Sequence, residues 1–117
     1  ASILSKGQID DFIEIAKSMN MSCLVEAHTE DDLNKVFDTQ AEIIGINNRN
    51  LDSLETDLNT TLMLAGKIPS GKIIVSESGI KDNYYVNKIR NKINAILVGS
   101  AFMNSDNIEK EIVNLIQ

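Results

Sequence analysis

The sequence has one cysteine, one histidine, one proline and no tryptophan among its 117 residues. Cys23 stands alone in the apolar run Cys23-Leu24-Val25. It can form no disulfide within the chain and reads as a small buried hydrophobe rather than a reactive thiol. One cysteine and one histidine also leave no Cys/His metal cluster. Basic residues are scarce: 11 Lys and Arg face 17 Asp and Glu, a formal charge of −6. That balance argues against nucleic acid and against an anionic membrane, because both need basic patches. It leaves room for a small anionic ligand held by a few backbone N–H groups. No apolar run approaches the ~20 residues of a membrane span, and no basic-then-apolar leader opens the chain, so a soluble, cytoplasmic protein is expected. The length also falls short of a complete eight-stranded α/β barrel, which needs about 250 residues.

What the sequence does contain is a regular alternation. Four short aliphatic runs, Ser22–Glu26, Ile43–Asn47, Lys72–Ser76 and Ala95–Gly99, have the near-continuous apolarity of strands in a parallel sheet. Helix-period segments separate them: Ile9, Phe12, Ile13 and Ala16; Leu33, Val36 and Phe37; Leu58, Leu62 and Ala65; Val86, Ile89 and Ile93; Ile108, Ile112 and Leu115. Thr29 is the N-cap candidate of the second helix, with Asp32 three residues on. Gly66 and Pro69 end the third. Ala1–Leu4 reads as the tail of a further strand. No linker or low-complexity tract interrupts residues 1–117, so they are expected to form a single partial domain. Alternating strands and helices give an α/β architecture with right-handed crossovers, either an open doubly wound sheet or consecutive units of a barrel.

In both architectures ligands bind beyond the carboxyl ends of the strands. Those positions hold Glu26, Asn47-Asn48-Arg49-Asn50, Ser76-Glu77-Ser78-Gly79 and Gly99-Ser100. Helix capping alone accounts for a single Asn50 or Ser100. Glu26, directly after Leu24-Val25, is expected to be a half-buried carboxylate, and such a group is either paired or functional. Side-chain alternation puts Leu24 with Glu26, Ile43 with Gly45 and Asn47, Ile73 with Val75 and Glu77, and Ala95 with Leu97 and Gly99. If those faces point into a barrel, Glu26, Asn47 and Glu77 meet at its mouth. Gly79 and Gly99-Ser100 then occupy the last two strand–helix loops, the usual barrel phosphate site, where glycine lets the anion approach the backbone. Gly71, after Pro69-Ser70, is an ordinary turn glycine. His28 reads as a helix-entry or surface residue rather than a catalytic base.

The runs Leu24-Val25-Glu26-Ala27-His28, Ile43 through Leu51, Val75 through Ile80 and Leu97 through Met103, with Asp57–Thr61 between them, closely resemble indole-3-glycerol-phosphate synthase in order and spacing. Ile-Gly-Ile-Asn-Asn-Arg-Asn-Leu is the most specific of them. Ser-Glu-Ser-Gly-Ile recurs in other phosphate-binding barrels. The resemblance covers essentially the whole chain but about the second half of that family's (β/α)8 TIM barrel, from the end of strand 4 through helix 8.

The resemblance implies a lyase of tryptophan biosynthesis. It closes the ring of 1-(2-carboxyphenylamino)-1-deoxyribulose 5-phosphate with loss of carbon dioxide and water, with no cofactor and no metal. By position, Glu26 matches the family's catalytic glutamate and Asn47 the residue that orients the substrate hydroxyls. Arg49, Glu77, Ser78 and Leu97 match substrate contacts, and Gly79, Gly99 and Ser100 phosphate contacts. The family also uses lysines from its first and third strands. No counterpart is present, since Lys6, Lys67, Lys72 and Lys81 lie on helices or at the opposite strand ends. The isolated chain is therefore expected to lack normal synthase activity, and to associate with the N-terminal half or with itself through its open edges. A receiver-type signalling domain is rejected, because no acidic pair, phosphoacceptor Asp and trailing Lys stand at the strand ends. Another phosphate-binding barrel of amino-acid biosynthesis, or a non-catalytic self-associating half-barrel, remains as the alternative.

Overall fold

In the computed structural model, which describes residues 1–117, four parallel strands run β1 (Leu24–Ala27), β2 (Ile43–Asn47), β3 (Ile73–Glu77) and β4 (Ala95–Leu97). The helices are α1 (Lys6–Ser18), α2 (Glu30–Phe37), α3 (Asn59–Leu64, extended by a 3₁₀ turn Ala65–Lys67), α4 (Asn83–Ile89), α5 (Ser100–Met103) and α6 (Ile108–Ile116). Each of the four aliphatic runs forms a strand, and each expected helix is present. The additional element is α5, a single turn that the sequence pattern could not show because it spans only four residues.

Strand order in the sheet is β1-β2-β3-β4, the order of the chain. A doubly wound sheet reverses direction at a switch point and carries helices on both faces. Here Val25, Ala27, Ile44, Ile46 and Ile74 point to one side and bury against Ile9, Ile13, Leu33, Val36 and Leu64 of α1, α2 and α3. A second cluster, Ile80, Tyr85, Val86, Ile89 and Leu115, packs α4 against α6. Helices on one face, with strands added in sequence, are successive units of a barrel.

Capping explains where the helices start. Ser5 opens α1 and Thr29 opens α2, each with a reciprocal capping box closed by Gln8 and Asp32. The Asp32 carboxylate accepts from the backbone N–H groups of His28 and Thr29. Burial pushes its pKa up, but these hydrogen bonds outweigh burial and hold it below the ordinary value.

Three expectations need correction. Ala1–Leu4 is a turn rather than a strand tail: Leu4 N–H bonds Ala1 O, and the Lys35 ammonium gathers the Ala1 and Leu4 carbonyls. Burial on both faces holds for the interior strands β2 and β3 but not for the edges, where β1 alternates exposed and buried and Leu97 of β4 is 54% exposed. The large apolar inner-face residues left open are Leu24, Ile73 and Leu97. Phe12, Ile108 and Ile112 also face outward, so α1 keeps Ile9, Ile13 and Ala16 buried and α6 keeps only Leu115.

Candidate functional site

Strand register lays the inner face out in rows. One row pairs Glu26 with Gly45, Gly45 with Val75 and Val75 with Ala95; the next pairs Asn47 with Glu77 and Glu77 with Leu97. Glu26, Asn47 and Glu77 therefore meet at the carboxyl rim, as alternation requires. Asn47 Nδ2 donates to Glu26 Oε2 at 3.3 Å, and Asn47 Oδ1 accepts from Arg49 N–H at 3.0 Å.

The desolvated carboxyl is not the one expected. Glu26 is exposed, because β1 is an edge strand whose inner side is open. Glu77, on the interior strand β3, is 3% exposed, and its Oε1 has no hydrogen-bond partner. Burial, then the charge of the neighbouring Glu26, push the Glu77 pKa up to about 8. Both causes favour the neutral form of Glu77, which lies beside a second carboxyl, an arrangement suited to proton exchange.

Gly45 is a functional position that the sequence reading passed over. A Cβ there would lie 1.7 Å from Glu77 Oε1. The strand lacks a side chain in the row beneath Glu77, and the carboxyl folds into that gap toward Glu26. A glycine in mid-strand marks close approach, and the Ile-Gly-Ile pattern carried that signal.

The other expected residues gather beside this pair. Arg49, Ser78, Gly79, Leu97, Gly99 and Ser100 line a cleft of about 380 Å³. The Arg49 guanidinium donates to Leu54 O, and Arg49 bridges Thr56 across the loop, so it ties down residues 49–56 as well as facing the cleft. Gly79 has φ +74°, and a Cβ there would lie 2.3 Å from Thr56 Cγ2. Both conformation and space demand glycine. Gly99 is the reverse case, with no heavy atom near the position of a Cβ and open room for a ligand.

A larger concavity of about 1040 Å³ lies outside the rim, along α2, the 50–57 loop and α3, and none of the expected site residues lines it. His28, half-buried at the α2 entry, bonds the Asn47 carbonyl through Nδ1 at 2.7 Å and so braces the rim. No group of His, Cys, Asp and Glu with metal-binding geometry is present.

Sequential parallel β/α units with a carboxyl pair and a glycine-lined cleft at one rim define successive units of a barrel-type α/β protein. The family model described as indole-3-glycerol phosphate synthase matches residues 1–115. The chain is 41% identical over 115 residues to an indole-3-glycerol phosphate synthase of Endomicrobium trichonymphae, covering 97% of this chain and 45% of that protein. It is 44% identical over 107 residues to that of Methanocaldococcus jannaschii, covering 92% of this chain and 40% of that protein. A tryptophan biosynthesis protein TrpCF of Vibrio cholerae is 40% identical over 115 residues, covering 98% of this chain and 24% of that protein. The chain belongs to the indole-3-glycerol phosphate synthase family, and it spans less than half the length of these relatives.

Proposed function

We propose that residues 1–117 form a single partial domain, the C-terminal half of a barrel. In the completed barrel it contributes the carboxylate and phosphate half of an indole-3-glycerol-phosphate synthase site. The observation that carries this reading is the meeting of Glu26, Asn47 and Glu77 next to the Gly79–Gly99 cleft. Glu26, exposed to an incoming substrate, transfers protons and stabilises positive charge developing as the ring closes. Asn47, held by Glu26 and by the Arg49 N–H, orients the substrate hydroxyls. Glu77 and Ser78 line the pocket, and Leu97 offers an apolar wall to the aromatic ring. Gly79, Gly99 and Ser100 receive the phosphate through the backbone.

No lysine bonds Glu26, Asn47 or Glu77. Lys67 pairs with Glu30, Lys72 with the Ala41 carbonyl and Lys35 with Ala1 and Leu4. Lys81, expected on a helix or at the opposite strand end, instead lies in the loop between β3 and α4 on the carboxyl side, but it bonds none of Glu26, Asn47 and Glu77. On this reading the cation for the carboxylate chemistry is supplied by the other half of the barrel. In a barrel completed with the N-terminal half of a family member, Glu26→Gln is expected to cut turnover by about 10²-fold or more. An unchanged rate would remove Glu26 from the mechanism.

A further inference from the structure

We propose that Asn48 is the positioning residue of the anion-binding rim: its buried carboxamide fixes the Ser78–Gly79 peptide so that the Gly79 N–H is left free at the cleft. The inference rests on the phosphate reading above. Asn48 follows Asn47 at the end of β2, so its side chain points to the helix side of the sheet, where it is fully buried.

A buried carboxamide must satisfy an acceptor and two N–H donors. Asn48 Oδ1 accepts from the Thr61 N–H at 3.2 Å and from Thr61 Oγ1 at 2.9 Å. Its Nδ2 donates to Ser78 O at 3.1 Å and Ser76 Oγ at 3.3 Å, with Tyr85 Oη at the margin, 3.5 Å away. Thr61 Oγ1 and Ser76 Oγ lie 2.7 Å apart, and Tyr85 Oη donates to Leu58 O at 2.9 Å. One side chain thus joins β2, β3, α3 and α4 behind the rim.

The consequence appears at Ser78. Its φ of +68° is left-handed, a conformation that a residue with a side chain keeps only where its surroundings impose it. Asn48 holds the Ser78 carbonyl toward the interior. In a trans peptide the C=O of one residue and the N–H of the next point in opposite directions. No peptide bond in the chain is cis. The Gly79 N–H therefore points away from Asn48. It donates to no protein group, and Gly79 lines the cleft. The buried network thus fixes the Ser78 carbonyl and leaves the opposite N–H for a ligand.

Amide spectra of the 117-residue chain titrated with inorganic phosphate test this. In the unmodified chain, phosphate is expected to shift the Gly79 and Gly99 amides. Asn48→Asp replaces the donor to Ser78 O with an acceptor of the same shape. It is expected to weaken phosphate binding about tenfold, the equivalent of one lost hydrogen bond, and to abolish the Gly79 response before that of Gly99, which the network does not touch. A folded Asn48→Asp chain with unchanged affinity and an unchanged Gly79 response overturns the proposal. Should that variant fail to fold, Thr61→Val and Tyr85→Phe each remove one hydroxyl. A roughly twofold to fivefold weakening is then expected, and no change in either overturns the proposal. If the unmodified chain shows no phosphate response at Gly79 or Gly99, the phosphate reading itself fails. The positioning claim is then judged on the Ser78 carbon shifts, which must leave their left-handed values in the variants or the claim falls too.

Discussion

Two carboxyls on adjacent rows of one sheet face differ in burial, Glu77 enclosed and Glu26 open. Glu77 binds its proton more tightly in the folded chain, with a pKa of about 8, than in the unfolded chain, near the ~4.3 of a free glutamate. A raised pKa of this kind contributes stability that is fully present below the unfolded value and is lost as pH rises through the folded one. Stability is expected to fall between about pH 5 and pH 8, by at most about 1.4 kcal/mol per unit from this group. Urea midpoints across that range read the effect directly, and Glu77→Gln should flatten the slope. A midpoint that is constant or rising over the same range would show that Glu77 is ionised in the fold.

The rim glycines make a second residue-level contrast. Gly79→Ala meets both a left-handed φ and Thr56, and is expected to destabilise the fold by roughly 1–3 kcal/mol. Gly99→Val meets no neighbour and should leave the melting temperature nearly unchanged while weakening phosphate binding. Thermal melts beside a phosphate titration separate the two. Equal loss of stability in both variants would mean that Gly99 is structural. Alternation showed Glu26, Asn47 and Glu77 on one face, but could not show which carboxyl is buried. That depends on Gly45 leaving a gap and on β1 lying at the edge. Asn48 was legible in principle, since parity sends it to the helix side, where a carboxamide must find partners.

At the scale of elements, the strands and helix starts were the most readable features. Aliphatic runs and capping residues are local signals, and β2 and α2 begin where these signals stand. The Thr29 cap is expected to be worth about 1 kcal/mol, because its hydroxyl accepts from the Asp32 N–H while the Asp32 carboxylate returns to the Thr29 N–H. Thr29→Ala should lower the urea midpoint accordingly. A change within error would show that the first turn of α2 is held by packing of Leu33 and Val36 instead. Less legible were the outward faces of α1 and α6. An amphipathic period marks which residues can be buried, not whether a neighbour is there to cover them.

At the scale of the molecule, parallel strands in chain order, with helices on one face only, leave β1 and β4 each with an unpaired edge and Leu24, Ile73 and Leu97 open on the inner side. An inner face of this kind is stable when strands close around it, because closure removes edges and buries the apolar rows. The proposed rim chemistry has the same requirement, for no lysine side chain bonds Glu26 or Glu77. Fold and site thus call for the same missing strands. The direct measurement is indole-3-glycerol-phosphate formation by the chain alone and by the chain co-expressed with the N-terminal half of a family member. Activity is expected only from the combined halves. A chain that turns over substrate unaided, or a completed barrel that remains inert, would contradict the assignment of this rim as half of a synthase site.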